Sequence, residues 1–338
     1  LTVHQVTKEQ EIQQADQGRP HLFILGAGAS IAATYPNGDK NGKKLPSMDN
    51  FLELLELNEL IDSTGLTFAS KNFEDIYSAI HASCEHQEIL EELEKRVYSY
   101  FYELELPEKP NIYDYLVLSL REKDFIATFN WDPFLAQAIL RNQKQFKMPQ
   151  VLFLHGNVAI GACPNRCSMG FAIGKCPKCG EYYQSSRLLY PVAEKNYQDG
   201  ELNQNQWESF QDVLDRAMYV TIFGYGAPSS DKSAIELMKQ AWGNWKERKL
   251  EQVEFINLLP EEELVETWQD FIHSHHFDSV RSDFFESWVA KHPRRSIEAF
   301  SNQYLMARFI EDNPLPECST LEELWAWLKP LKKFEEEK

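Results

Sequence analysis

The chain of 338 residues carries 34 Lys and Arg against 52 Asp and Glu, a formal charge of −18. With no stripe of clustered cations, that balance excludes broad binding to a nucleic-acid backbone, which needs concentrated positive charge. No apolar run approaches the roughly 18 residues of a membrane span, and residues 1–20 are too polar for a signal peptide, so a cytoplasmic protein with no membrane attachment is expected.

The length suits one large α/β domain with insertions, or two modest domains. After a polar N-terminal tail over 1–20, the run FILGAGAS (residues 23–30) reads as a buried strand ending in a glycine-rich turn. Short apolar runs closed by small or polar residues are parallel strands that deliver loops to the carboxyl edge of a sheet, where open α/β folds bind nucleotides. Gly26, Ala27, Gly28, Ala29 and Ser30 fit a turn whose backbone N–H groups and following helix N-terminus face a pyrophosphate. The third glycine of the dinucleotide fingerprint is missing, and Ser30 also suits a helix cap. Residues 37–44 (NGDKNGKK) form a loop, in the place of a lengthened strand-to-helix connection of the kind that closes on ligands. A helical insertion over 45–122 covers the nucleotide edge, its clearest piece carrying Ile89, Leu90, Leu93, Val97, Tyr100, Phe101 and Leu104 on one side.

The second strand, in IATFNWD (126–132), puts Asn130 and Asp132 just past its end. Asp132 before Pro133 reads equally as a helix cap followed by the favoured first helical residue. Asn130, between Phe129 and Trp131, has no such structural role and reads as a site residue. The third strand, in FLHG (153–156), ends in His155, an acid or base that would converge with Asn130 from a parallel strand, and Gly156 admits close approach of backbone or ligand. Four cysteines follow, Cys163, Cys167, Cys176 and Cys179, with Pro164, Pro177 and Gly180 shaping tight turns. Their spacing matches tetrahedral zinc in a closed structural site with no open position for catalysis; iron–sulfur ligation is the alternative. Cys84 and Cys318 are isolated, and no disulfide is expected of them in a reducing compartment.

A helix over 207–217 leads to a fourth strand in TIFGYG (221–226), where Gly224, Tyr225 and Gly226 repeat the strand-then-glycine design and Gly224 admits a cofactor. Asp231 reads as an acceptor for a ribose hydroxyl or as the cap of a helix over Lys232–Trp242. A fifth strand in VEFIN (253–257) ends in Asn257, a ribose or adenine contact or part of the turn before Pro260. Everything beyond Pro260 reads as helical. There, His273, His275 and His276 read as a solvated or hydrogen-bonded helix end, and Trp268, Trp288, Trp325 and Trp327 as core or subunit contacts. Thr320 and Glu323 open the last helix in capping-box spacing, and 332–338 is a frayed tail. The plan is therefore a Rossmann-like parallel sheet over 21–260 with the helical insertion and a zinc module at 161–182, then a C-terminal helical extension over 261–338.

In this order the motifs resemble the sirtuin superfamily. GAGAS (26–30) resembles its GAG-x-S loop, Thr128-Phe129-Asn130-Trp131-Asp132 its T-Q-N-x-D motif, and His155-Gly156 its catalytic H-G pair. The four cysteines stand at the family's zinc position, and Gly224 and Asn257 fall where its later glycine-led and ribose-contacting motifs belong. Two segments depart from the pattern: IAATYPNGDKNGKKLP (31–46) replaces the G-I-P-D-F-R segment, and LLYPVAEKN (188–196) replaces the F-G-E segment that holds an acyl-lysine peptide. The chain is thus closer to the sirtuin-like effectors of bacterial antiphage defence, which hydrolyse NAD without a protein substrate. That resemblance implies NAD as substrate, ADP-ribose and nicotinamide as products, and structural zinc. It gives Asn130 the water or the ribose, His155 the ribose hydroxyl proton, and Asp132 the carboxamide or the ribose cation. Because the stretch after the fifth strand is small for a sensor domain, it also implies an activator in trans: a HerA-type ATPase, a short Argonaute-like protein or a nucleotide-metabolising enzyme, acting on an oligomer. An NAD-dependent protein deacylase and a non-catalytic module that binds NAD or ADP-ribose are the alternatives.

Overall fold

The structure, a computed structural model, describes residues 5–190, 201–227, 231–243, 250–269, 271 and 280–336. Among these the strands are β1 (Gln5–Val6), β2 (His21–Leu25), β3 (Phe125–Thr128), β4 (Gln150–Phe153), β5 (Ile160–Ala162), β6 (Met169–Phe171), β7 (Gln184–Ser185), β8 (Tyr219–Phe223), β9 (Gln252–Ile256), β10 (Val280–Arg281) and β11 (Phe309–Ile310). Six of them form one parallel sheet in the spatial order β10-β9-β8-β2-β3-β4. The chain starts at the centre with β2, steps outward through β3 and β4, and returns to β8 on the other flank of β2 before stepping out again. The reversal between β2 and β8 is the topological switch point of a doubly wound sheet, and it opens a crevice at the carboxyl ends of those strands.

Helices cover both faces, so the central strands are buried throughout rather than alternating, and their polar members His21 and Thr221 hydrogen-bond each other at 2.8 Å. Every residue of HLFIL and of YVTIF is buried. Leu22 and Ile24 pack toward Trp207, Phe210, Val213 and Met238 of the helices Glu201–Arg216 and Lys232–Trp242. Phe23 and Leu25 pack toward the helices inserted between β2 and β3. These are Phe51–Leu54, Asn58–Asp62, Phe73–Ser83, Gln87–Tyr102 and Ile112–Ser119. On Gln87–Tyr102 the buried face is the predicted one, with Leu90, Leu93, Val97 and Phe101 inward, whereas Ile89 and Tyr100 sit at its margin.

The loop over 37–44 departs from expectation. Buried Asp39 ties it down, Oδ1 accepting from the amides of Asn41 and Lys43 (2.8 Å each) and Oδ2 from that of Glu105 (3.0 Å). The region beyond Pro260 is not all helical either, because β10 adds a sixth strand and β11 pairs in parallel with β1. That pairing, with the capped helix Lys8–Gln13, structures the segment read as a tail. Strands of two residues carry no periodic signal; only the neighbouring strand reveals them. The last helix, Leu321–Glu336, opens with the predicted reciprocal pair, Glu323 N to Thr320 Oγ1 and Thr320 N to Glu323 Oε2 at 3.3 Å each, and it continues through 332–336, expected to fray, where Glu335 pairs with Arg294 and Arg295. Trp268 is buried in one apolar cluster, Trp325 and Trp327 pack against another, and Trp288 packs against two smaller ones. His273, His275 and His276 lie outside the described residues. No helix of the described residues is long and apolar enough to cross a membrane.

Candidate active site

The two loops of the switch point interlock through glycine. Gly26 caps the helix Ala27–Thr34 in an extended conformation, and Gly224 takes φ +61. Gly26 N donates to Phe223 O and Gly28 N to Gly224 O, both at 3.0 Å. A Cβ on Gly26 would stand 2.5 Å from Tyr225 Cα, one on Gly28 2.8 Å from Gly224 Cα, and one on Gly224 2.3 Å from Ala29 N. These glycines therefore serve first to let backbone meet backbone, a role the sequence reading gave to a ligand. Ala29 N also bonds within the turn, to Gly26 O at 3.0 Å, so Ala27, exposed at the first helical position, is the residue of this turn that faces outward.

A cavity of about 310 Å³ opens over the carboxyl ends of β2, β3 and β8. Gly26, Ala27, Ser30, Asn130, Asp132, His155, Gly224, Tyr225, Gly226 and Asp231 all line it; Gly28, Ala29 and Asn257 do not. Asn257 takes the turn role instead, its Oδ1 accepting from Leu259 N at 3.0 Å. The opposite wall comes from the insertion and is mostly apolar, Leu45, Pro46, Met48, Phe51 and Phe101 with Trp131 beside them, and Asn72 and Glu74 are its polar members. Leu45, Pro46 and Met48 follow the tied-down loop directly, so the ligand-facing segment lies just downstream of the one the sequence nominated.

Asn130 is 8% exposed, and its Nδ2 donates to Gly26 O (2.8 Å) and Ser30 Oγ (2.9 Å), with Tyr113 OH at 3.2 Å. Tyr113, from the helix Ile112–Ser119, lies 2.5 Å from Ser30 Oγ. Asp132 is buried, which pushes its carboxyl up to about 6, opposed by hydrogen bonds from the Ser30 hydroxyl and the Phe134 amide. The Phe134 bond, N to Asp132 Oδ1 at 3.2 Å, is the predicted capping contact, so Asp132 serves its helix and the cavity together. His155 is wedged edge-on against Phe129, which stacks on Tyr225. Its Nε2 stands 3.7 Å from Asp231 Oδ1, beyond direct hydrogen-bond range. Asp231 makes no capping bond with its side chain; Tyr225 OH donates to its Oδ2 at 2.9 Å and holds it at the cavity. Gly156, at φ +75, admits backbone rather than ligand, since a Cβ there would lie 2.2 Å from Arg187 O.

Two framing residues escaped the sequence reading. Asn157 Nδ2 donates to Asp132 O (2.6 Å) and Asn130 O (3.1 Å), fastening the β3 exit to the β4 exit. A second amide two residues past His155 was its only signal. Tyr113 had none, because its hydroxyl reaches the site from a helix distant in sequence.

The cysteines lie in the loops that join the strands of a three-stranded antiparallel sheet in the order β6-β5-β7. Their four sulfurs lie within 4.8 Å of one another. Tetrahedral zinc with Zn–S near 2.3 Å sets sulfurs about 3.8 Å apart, so Cys163, Cys167, Cys176 and Cys179 fit that ion as a closed, structural set. The knuckle turns are formed, Arg166 N bonding Cys163 O and Gly180 N bonding Cys176 O at 2.8 Å each.

No family model matches the chain, and no curated protein matches it. Solved structures do align with it. A Sir2 homologue in complex with NAD covers 87% of this chain and 94% of its own at 14% identity, with a TM-score of 0.43. An ADP-ribose complex of a Sir2 homologue variant covers 87% and 96% at 15% identity and a TM-score of 0.41. Sir2 bound to an acetylated peptide covers 88% and 95% at 13% identity and a TM-score of 0.40.

Proposed function

We propose that the protein is an NAD-consuming enzyme and, within that class, an NAD glycohydrolase. The observation that supports this most is that an amide, an imidazole and two carboxylates, Asn130, His155, Asp132 and Asp231, border one cavity at the switch point of a doubly wound sheet, where dinucleotides bind. Structures of Sir2 homologues with NAD and ADP-ribose agree with that ligand class. In this reading the pyrophosphate lies by Ala27 at the helix N-terminus and the nicotinamide riboside lies toward Asn130 and His155.

The C1′–N bond breaks with its electron pair leaving on nicotinamide, and water oxygen bonds C1′ and gives up a proton. Charge develops on the ribose, and Asp132, buried beside it, stabilises that cation when ionised. Asn130 has its Nδ2 committed to the first turn, which leaves Oδ1 to accept from the water or a ribose hydroxyl. His155 takes the ribose hydroxyl proton, with Asp231 facing its Nε2, and the hydroxyl is restored by the proton that water gives up, so the one proton released leaves through His155 to solvent. Toxicity of unrestrained hydrolysis makes an activator in trans, and an effector role in antiphage defence, part of the same proposal.

The test is nicotinamide release by the full chain, alone and with the proteins that co-purify from its host, with and without an acetyl-lysine peptide. Asn130→Ala and His155→Ala are each expected to reduce release at least 100-fold. Undiminished turnover in both removes the assignment, and release that depends on the peptide makes the enzyme a deacylase.

A further inference from the structure

At the amino edge of the sheet, opposite the candidate site, the structure holds a second cavity, of about 520 Å³, against the C-terminal helix. Five cations line it, Arg121, Lys123, Lys147, Arg294 and Lys332, against three carboxylates, Glu122, Glu335 and Glu336. With buried Glu298, which pairs with Arg121 and stands 3.8 Å from Lys123, five cations meet four carboxylates, a small cation excess in a chain of charge −18. Arg294, 2% exposed, is fully engaged: it grips Glu335 and donates to the carbonyls of Leu118 and Leu120 at 2.9 Å each. Arg121 and Lys123 are not. Arg121, 5% exposed, gives Nη2 to Glu298 and the Asp16 carbonyl, while its Nε is buried with no hydrogen-bond partner. The Lys123 side chain is 10% exposed, yet its Nζ is 3.8 Å from Glu298 and 3.4 Å from the Arg19 carbonyl, both longer than a charge-assisted bond of about 2.7–2.9 Å. Incompletely bonded buried cations are costly, and an anion that completes their bonding is bound by what it relieves.

We propose that this cavity binds a small, multiply charged anion of the phosphate class, held by Arg121, Lys123 and Lys147 with Lys332 closing from the C-terminal helix, Lys147 and Lys332 exchanging their present ion pairs with Glu122 (2.9 Å) and Glu336 (3.3 Å) for the anion. The site is joined to the cavity at the other edge by one element. The last carbonyls of the helix Ile112–Ser119 are held by Arg294, and near its first turn Tyr113 OH meets Ser30 and Asn130. Arg121 follows the C-cap of that helix directly, so an anion bound to Arg121 would steady the helix that frames the candidate active site, whatever reaction that site performs.

Inorganic pyrophosphate is the probe, titrated calorimetrically into the full chain at 150 mM NaCl, with ATP in a parallel arm to separate free from nucleotide-borne phosphate. Saturable binding of either is expected, weakened at least tenfold by Lys123→Gln and by Lys147→Gln and unchanged by Lys95→Gln on the distant insertion. Lys147 is exposed, so its variant keeps the fold. Bound anion is also expected to slow amide exchange at 116–119 several-fold. No saturable binding by the wild type, or equal affinity in Lys147→Gln and Lys95→Gln, overturns the proposal.

Discussion

Asn130 and Asn257 leave the same sheet in the same manner, each just past the end of a parallel strand, and they end in different roles. Asn130 follows β3, which lies directly beside β2, so its amide reaches Gly26 O at 2.8 Å and closes the wall of the cavity. Asn257 follows β9, which β8 separates from β2; its backbone N donates to Arg281 O (2.9 Å), and its side chain folds back on Leu259. The residue type and its position at a strand exit are shared. The flank separates them, since β3 and β9 are each one strand from the reversal: the cavity extends over the exits of β3 and β4, whose Asn130 and His155 line it, and not over that of β9.

That contrast can be broken at the glycine that joins the two sides. Gly224→Ala places a Cβ 2.3 Å from Ala29 N at a left-handed backbone position and is expected to cost about 2–4 kcal/mol in urea unfolding. Gly226→Ala on the same loop, with open space around its would-be Cβ, is expected to fold like the wild type. Equal losses at both would mean that the loops do not interlock.

The β3 exit also carries a buried acid, where the β9 exit continues into Leu258 and Leu259. Burial raises Asp132 to about 6 from an ordinary 3.8. The folded state then holds this proton more tightly than the unfolded chain, so the group favours folding at low pH, and that contribution is lost as pH rises from about 4 through about 6, roughly 3 kcal/mol in all. Asp132→Asn is expected to remove this slope, its urea-derived stability gaining on the wild type across that window and running parallel above it. Nicotinamide release by the wild type is expected to rise through the same pH range, since the ionised form carries the proposed role.

The smallest effect sharpens the contrast most. Where Asn130→Ala is expected to lose 100-fold or more in nicotinamide release, Asn257→Ala is expected to change it less than twofold and to lower stability by less than about 1 kcal/mol, the worth of one exposed turn hydrogen bond. A large loss of turnover at Asn257 would return it to the ligand.

The long, apolar elements of the fold were legible. Four of the five strands longer than three residues, the helix Lys232–Trp242 and the Thr320–Glu323 cap stand where residue type and spacing place them, because burial on two faces and capping leave local signatures, whereas β4 lies upstream of FLHG and shares only Phe153 with it. The cysteine knuckles were legible for the same reason, their ligands lying within one short module. The two-residue strands β1, β10 and β11 were not, since their only support is a partner far along the chain.

By itself the sequence determined which residues sit at strand ends, namely Gly26, Asn130, His155, Gly224 and Asn257, and which chemistry each can offer. Tertiary structure alone decided that four of these share a cavity and one does not, that Asp231 faces His155 instead of capping its helix, and that Tyr113 and Asn157 frame the site. Strand order is set by packing between distant segments, and a residue's local sequence carries no record of which strand lies beside its own.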